Sequence, residues 1–179
     1  MATVHNAIDG RLADFITRQH MFFVGTAPSG SEGHVNISPK GLDSFRIIDH
    51  ETVAYLDLTG SGVETISHLC ENGRIVFMFC AFEGPPNIVR LHGTGMVVTP
   101  ADAGFAELAA LFPPLDGIRA VIRAQVHRVA DSCGYAVPLY EFKGDRSQLS
   151  AWACHKGDEA LEQYRAEKNA LSIDGLPGL

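Results

Sequence analysis

The sequence predicts a mainly β protein with flanking helices, and three observations carry that expectation. Runs of strand-type residues recur at 21–26, 33–38, 45–48, 53–58, 74–82, 89–99 and 118–129, separated by Gly, Pro, Asn and Asp, which is the rhythm of a barrel or sandwich. The run at 74–82 is apolar on both faces, as a buried central strand must be. Gly93 and Gly95 share one face of the next run, where a missing side chain lets a small barrel wall bend sharply.

The elements follow in order. Ile8, Leu12, Phe15 and Ile16 recur at helical spacing and predict a helix over 6–20; Asp9 and Asp14 inside that pattern exclude a signal peptide. The turn 27–33 joins the first two strands as a long hairpin, and 48–52 joins the next pair. After strand 53–57 a short helix opens, with Ile66, Leu69 and Cys70 at its spacing. A longer helix is predicted from Thr99 as N-cap and Pro100 at the first helical position. Asp102 favours its positive end, Phe105, Leu108, Leu111 and Phe112 form one face, and Pro113-Pro114 stops it. In the last strand the alternation puts Ile118, Ala120, Ile122, Ala124 and Val126 inside, with Arg119, Arg123 and Gln125 outside. A final helix is expected over 155–168, carrying Leu161 and Tyr164, and the Gly- and Pro-containing tail 169–179 cannot continue it. With no repeat or linker, residues 1–179 read as one domain.

Composition bounds the function. A chain of 179 residues that is 46% hydrophobic can bury one sizeable core. A net charge of -7 argues against nucleic acid and against an anionic membrane surface, since both select a basic footprint. No run approaches a membrane span, and the chain reads as cytoplasmic. Cys70, Cys80, Cys133 and Cys154 show no metal or redox spacing and read as small buried hydrophobes. The eight histidines form no His-Glu-x-x-His arrangement, so no zinc site is expected.

Two short segments carry the chemistry. In His34-Val35-Asn36-Ile37-Ser38-Pro39-Lys40-Gly41 the alternation assigns Val35 and Ile37 to the core and Asn36, Ser38 and Lys40 to the opposite face. In Thr59-Gly60-Ser61-Gly62-Val63-Glu64-Thr65-Ile66, small residues at a strand-to-helix turn let backbone N–H groups approach a phosphate, with Lys40 as countercharge. Each has a bland alternative. Ser61-Gly62-Val63-Glu64 also fits a capping box, Lys40 fits a charge that guards a sheet edge, and Asn36 and Ser38 could face water. Gly60-x-Gly62-x-x-Thr65 imitates a dinucleotide fingerprint, with Glu83 about where the ribose-binding acid would stand. Its third position fails and the preceding strands form hairpins. No Gly-Lys-Ser/Thr follows, which excludes a P-loop.

In order and spacing these segments resemble the flavin-nucleotide-binding proteins of the pyridoxamine 5'-phosphate oxidase-like superfamily, the split β-barrel flavoproteins. Phe22-Phe23-Val24-Gly25-Thr26-Ala27, Gly73-Arg74-Ile75-Val76-Phe77-Met78-Phe79, Arg90-Leu91-His92-Gly93 and Ser172-Ile173-Asp174-Gly175-Leu176-Pro177-Gly178 extend the resemblance over nearly the whole chain. It implies a split barrel that binds FMN through Asn36, Ser38, Lys40, Gly60, Ser61, Gly62, Val63 and Thr65. Arg90 is implied as a ring or phosphate contact, with His92 weaker, and Trp152 as a contact reaching a partner subunit's flavin. It also implies a homodimer with the flavin at the interface and the tail packed on the neighbouring subunit. The function implied is a flavin-dependent oxidoreductase, reduced by a nicotinamide and passing electrons to an acceptor the sequence does not name. A non-catalytic flavin carrier or sensor, and a deazaflavin- or haem-binding relative, are the alternatives. True pyridoxamine 5'-phosphate oxidases end in a basic Arg-x-His-Asp-Arg-like segment that this chain lacks, so vitamin B6 oxidation is not expected.

Overall fold

The structure, a computed structural model, describes residues 3–179. In chain order it contains β1 (Thr3–His5), α1 (Gly10–Thr17), β2 (Phe22–Thr26), β3 (Asn36–Lys40), β4 (Phe45–Ile47), β5 (Thr52–Leu58), α2 (Glu64–Asn72), β6 (Arg74–Cys80), β7 (Ile88–Val98), α3 (Phe105–Ala109), β8 (Ile118–Ser132) and α4 (Gln148–Lys168). One antiparallel sheet runs β3-β2-β6-β7-β8-β5-β4, with β1 added on β8. The strands β3 and β4 are the two ends of that path, yet only residues 41–44 join them in sequence. So short a link forces the sheet to curl back on itself into a half-barrel with flanking helices, in keeping with the expected split barrel.

The concave side holds the main core, in which Phe22, Tyr55, Phe77 and Phe79 are buried and Phe45 packs against them with ring centroids 4.9–5.4 Å away. The face of α1 carrying Leu12, Phe15 and Ile16 closes one end. Burying each such side chain contributes roughly 1.5–3 kcal/mol. A second cluster of Ala54, Leu56, Val98, Phe112 and Val121 lies on the other face of β5 and β8, with Phe105 and Leu108 of α3 packed against it.

Several expectations are corrected. The first helix starts at Gly10 because the Asp9 carboxylate accepts from Leu12 N–H at 2.8 Å and caps it; the chain before it forms β1. The helix expected from Thr99 is only Phe105–Ala109, since Asp102 turns back to accept from the Thr99 N–H and hydroxyl, both at 2.7 Å. The final helix begins at Gln148, so Trp152 lies inside it; Gly157, at φ 72 and ψ 166, breaks it into two pieces. Of the cysteines only Cys80 is buried.

Two β-bulges matter more. Leu58 pairs with Ile118 and Asp57 with Ala120, so Arg119 is the extra residue of a bulge in β8. Its side chain leaves the alternation and is buried, 5% exposed, where the sequence put it outside. The second bulge, at His92/Gly93, makes His127 the extra residue and falls on the expected bend.

The assignment of Val35 and Ile37 to the core is also wrong: they are 71% and 69% exposed. Asn36, Ser38 and Lys40 pair with Thr26, Val24 and Phe22, all buried, and so occupy the concave face. Ile37 belongs to the convex row Ile37, Gly25, Val76, and beside it runs Pro39, Phe23, Met78; none of these six is fully buried. No helix among the described residues is long and apolar enough to cross a membrane.

Candidate functional site

The site grows from the polar concave face of the edge strand β3. The Asn36 amide meets Thr26 Oγ1 at 3.2 Å and Thr65 Oγ1 at 2.9 Å from one end, and Ser38 Oγ at 3.0 Å from the other. Thr26 Oγ1 in turn meets His68 Nδ1 at 3.0 Å. Burial pushes the His68 imidazole below its ordinary range against the opposing charges of Asp174, Glu64 and Glu71, so the ring is neutral near pH 7.

Residues 59–63 lead into α2 next to this strand. Their carbonyls are drawn inward: Arg119 Nη1 donates to Gly62 at 2.9 Å, and Asn169 Nδ2 donates to Gly60 at 2.9 Å. A trans peptide holds its N–H opposite its C=O, so this turns the Ser61 and Val63 amides outward. Among the described residues no group accepts from the N–H of any residue from Gly60 to Ile66. The helix N-cap is Val63, with no side-chain cap, and Ser61 is exposed; the capping box does not form. Glu64 folds over Gly62, with Oε2 2.5 Å from where a Cβ would stand, and its Oε1 accepts from Ile173 N–H at 3.4 Å.

Beneath the loop lies a buried ion pair. Arg119 Nε and Nη2 reach Asp57 Oδ2 at 2.8 and 2.7 Å, and Nη1 donates to Asn169 Oδ1 at 2.8 Å. Lys40 Nζ meets the other Asp57 oxygen at 3.4 Å and sits 5.7 Å from the centre of the Tyr55 ring. Burial pushes the Tyr55 hydroxyl well above its ordinary range.

Two cavities open on β3. A cleft of about 420 Å³ at its start is lined by His34, Asn36, Ser61, Gly62, Glu64 and Ile173. A space of about 1650 Å³ at its other end is bounded by Lys40, Gly41, Phe82, Tyr140, Phe142 and Arg146. The structure therefore brings Asn36, Ser61 and Gly62 into one cleft, with Ser38 and Thr65 joined to them through Asn36 and the amides of Gly60 and Val63 in the adjoining loop. Lys40 lines the large cavity and not the small cleft, while its Nζ reaches inward to Asp57 beneath the loop. Arg90 lies on the convex side, where Nη1 donates to Ser132 Oγ at 3.3 Å, and so does His92, its neighbour two residues on. The Trp152 ring packs edge-on against Tyr164 at 5.2 Å, with Lys156 over both rings, and lines neither cavity.

The tail folds onto its own chain. Gly178 and Leu179 N–H donate to Ala170 and Asn169 carbonyls, Ser67 Oγ donates to the Leu176 carbonyl, and Asp174 grips His34 at 2.6 Å. Sequence reasoning missed Thr26, Asp57, His68, Arg119 and Asn169. Asp57 alone left a signal, a carboxylate inside an otherwise apolar strand, which needs a buried cation.

Comparison with known proteins agrees with this architecture. A family model described as Pyridoxamine 5'-phosphate oxidase matches residues 8–133. The pyridoxamine 5'-phosphate oxidase family protein ustO of Aspergillus flavus is 39% identical over 199 aligned residues, covering 100% of this chain and 78% of ustO. Among solved structures, a tagged HupZ of Group A Streptococcus superposes with a TM-score of 0.54 at 26% identity, covering 70% of this chain and 99% of that one. The Lactobacillus delbrueckii protein LDB0262 gives 0.53 at 16% identity, covering 70% and 94%. By the extent of the family match and its identity to ustO, this chain belongs to the pyridoxamine 5'-phosphate oxidase family.

Proposed function

We propose that the protein binds FMN and works in the cytoplasm as a homodimeric oxidoreductase, reduced by a nicotinamide and passing electrons to a small-molecule acceptor. The observation that carries this is the row of unpartnered amides from Gly60 to Ile66 at the uncapped start of α2, beside the polar face of β3. Outward N–H groups and the positive helix end suit a phosphate. Glu64 must swing off Gly62 to admit it. From Asn36 to Lys40 the strand spans roughly 13 Å, so a phosphate in the small cleft leaves the rest of an elongated ligand lying toward the large cavity. Asn36 and Ser38 then meet its middle, and Lys40 faces the far end.

Bound flavin supplies hydride and electron transfer, and the protein's part is to hold and orient it. Asp57 keeps Lys40 in place, and the Arg119 fork keeps the loop's carbonyls away from the anion. The large cavity leaves room for a second molecule, which favours an enzyme over a carrier. The exposed Ile37 and the half-buried Val76, Phe23 and Met78 on the convex side support a two-fold partner on that face. In that reading Arg90 and Trp152 serve the partner's flavin.

The test begins with the absorption spectrum of the purified protein and the mass of whatever denaturation releases. FMN should appear, NADH or NADPH should bleach it anaerobically, and pyridoxamine 5'-phosphate should not. Light scattering should give twice 19.3 kDa. A protein that neither carries nor takes up FMN ends this reading; FMN bound but inert to both nicotinamides makes it a carrier.

A further inference from the structure

Five side chains beneath the cleft, His68, Thr26, Asn36, Thr65 and Ser38, form one hydrogen-bonded chain whose protons can be counted. His68, Thr26 and Thr65 are 0%, 5% and 6% exposed, so a proton stranded there has no water to turn to. A carboxamide turned over exchanges oxygen and nitrogen at the same positions, so two arrangements share these distances.

With the Asn36 nitrogen inward, the amide donates to Thr26 and Thr65 and accepts from Ser38. The Thr65 proton then has only the neighbouring Tyr55 hydroxyl as acceptor, which leaves the Tyr55 proton stranded in its place, whereas with the oxygen inward the Thr65 oxygen is open to the Tyr55 proton. One more proton is stranded on Thr26 or His68, because their contact uses only one of the two and His68 Nε2 has no partner. With the oxygen inward, the hydroxyls of Thr26 and Thr65 both donate to it. His68 Nδ1–H donates to Thr26, and Nε2 is left as a bare lone pair. One Asn36 N–H donates to Ser38. The other, together with the Ser38 hydroxyl proton, is free for the cleft. Stranded buried donors are the costlier fault, so the second arrangement wins.

We propose that His68 is a positioning residue which, through Thr26, turns the Asn36 amide so that its NH2 faces the cleft. Asn36 and Ser38 thereby add two donors to the row of loop amides, and the site selects an oxygen-rich ligand edge such as a phosphate or a ring carbonyl. Only the identity of that ligand rests on the flavin reading.

Long-range proton–nitrogen NMR of the protein as isolated tests the tautomer. His68→Gln assigns the ring signals, and Thr26→Val, which is isosteric, assigns them by their shift should the first variant fail to fold. The expected result is a neutral ring protonated on Nδ1; a ring protonated on Nε2 overturns the proposal. Ser38→Ala removes one outward donor without adding charge and leaves the inward contacts of Asn36 intact, so it should fold normally and bind FMN roughly tenfold more weakly. Unchanged FMN affinity also overturns it. If the wild-type protein takes up no FMN, the flavin reading falls and the tautomer alone decides how Asn36 is turned.

Discussion

Replacing Arg119 by Met removes the cation that meets Asp57 through two nitrogens and leaves a carboxylate 1% exposed with only Lys40, 3.4 Å away, as partner. Breaking one side of a buried pair costs about 3–5 kcal/mol, a large share of the roughly 5–15 kcal/mol that holds a domain folded. Asp57→Leu should cost a similar amount for the opposite reason, a guanidinium 4% exposed with no counterion. The informative variant is the double one. With both charges gone neither desolvation penalty of the Arg119–Asp57 pair remains, and what is missing is the hydrogen bonds of Arg119 to Gly62 and Asn169, about 1–3 kcal/mol, and the contact of the part-exposed Lys40 to Asp57. Urea unfolding of the wild type, both single variants and the double variant closes the cycle. The double variant should lose far less stability than the two single losses added together. Losses that simply add would show that Arg119 and Asp57 are not coupled and that the bulge serves another purpose.

Two further outcomes are expected. Gly157 occupies a backbone region that essentially only glycine tolerates, and a methyl added there would meet no atom within 4 Å, so Gly157→Ala should lower unfolding stability by about 1–3 kcal/mol through the backbone alone; a negligible loss in thermal unfolding would mean the break adjusts freely. The Asp174 carboxyl is held below its ordinary 3.8 by hydrogen bonds from the side chain and backbone N–H of His34, so its contribution to tail docking is complete above 3.8 and is lost as pH falls through the lowered value. Amide-exchange protection of Ile173 and Leu176 should therefore drop in that acid window, and in Asp174→Asn it should be low already at pH 7; protection that ignores both changes would detach the tail from this contact.

The strands and their inward faces could be anticipated from the alternation because most strands here have a single buried face, and a buried face writes itself as period two. Ala120, Ile122, Ala124 and Val126, buried alongside the exposed Arg123 and Gln125, obey that rule and were legible. The rule gives way where a strand gains a residue. Arg119 sits in the same written pattern as the exposed Arg123 and Gln125, yet the bulge rotates it inward, and one extra residue in a strand leaves no mark in composition. Helix ends failed for a related reason. Thr99-Pro100 and Asp102 are good starting residues, but their mutual hydrogen bonds satisfy the turn locally and leave nothing for a helix to extend.

The chemistry of β3 was legible as a set and its orientation was not. Asn36, Ser38 and Lys40 had to share a face, but assigning the core to the apolar partners Val35 and Ile37 assumed that the interior is always the oily side. At this edge the interior meets the start of α2, whose free amides and whose neighbours Thr26, Thr65 and His68 can satisfy polar groups that an aliphatic core would strand. The apolar residues are thereby displaced to the convex surface, beside Phe23, Val76 and Met78. One inversion of a single strand thus produces both a polar pocket inside and an apolar face outside, the face that the proposed dimer would cover.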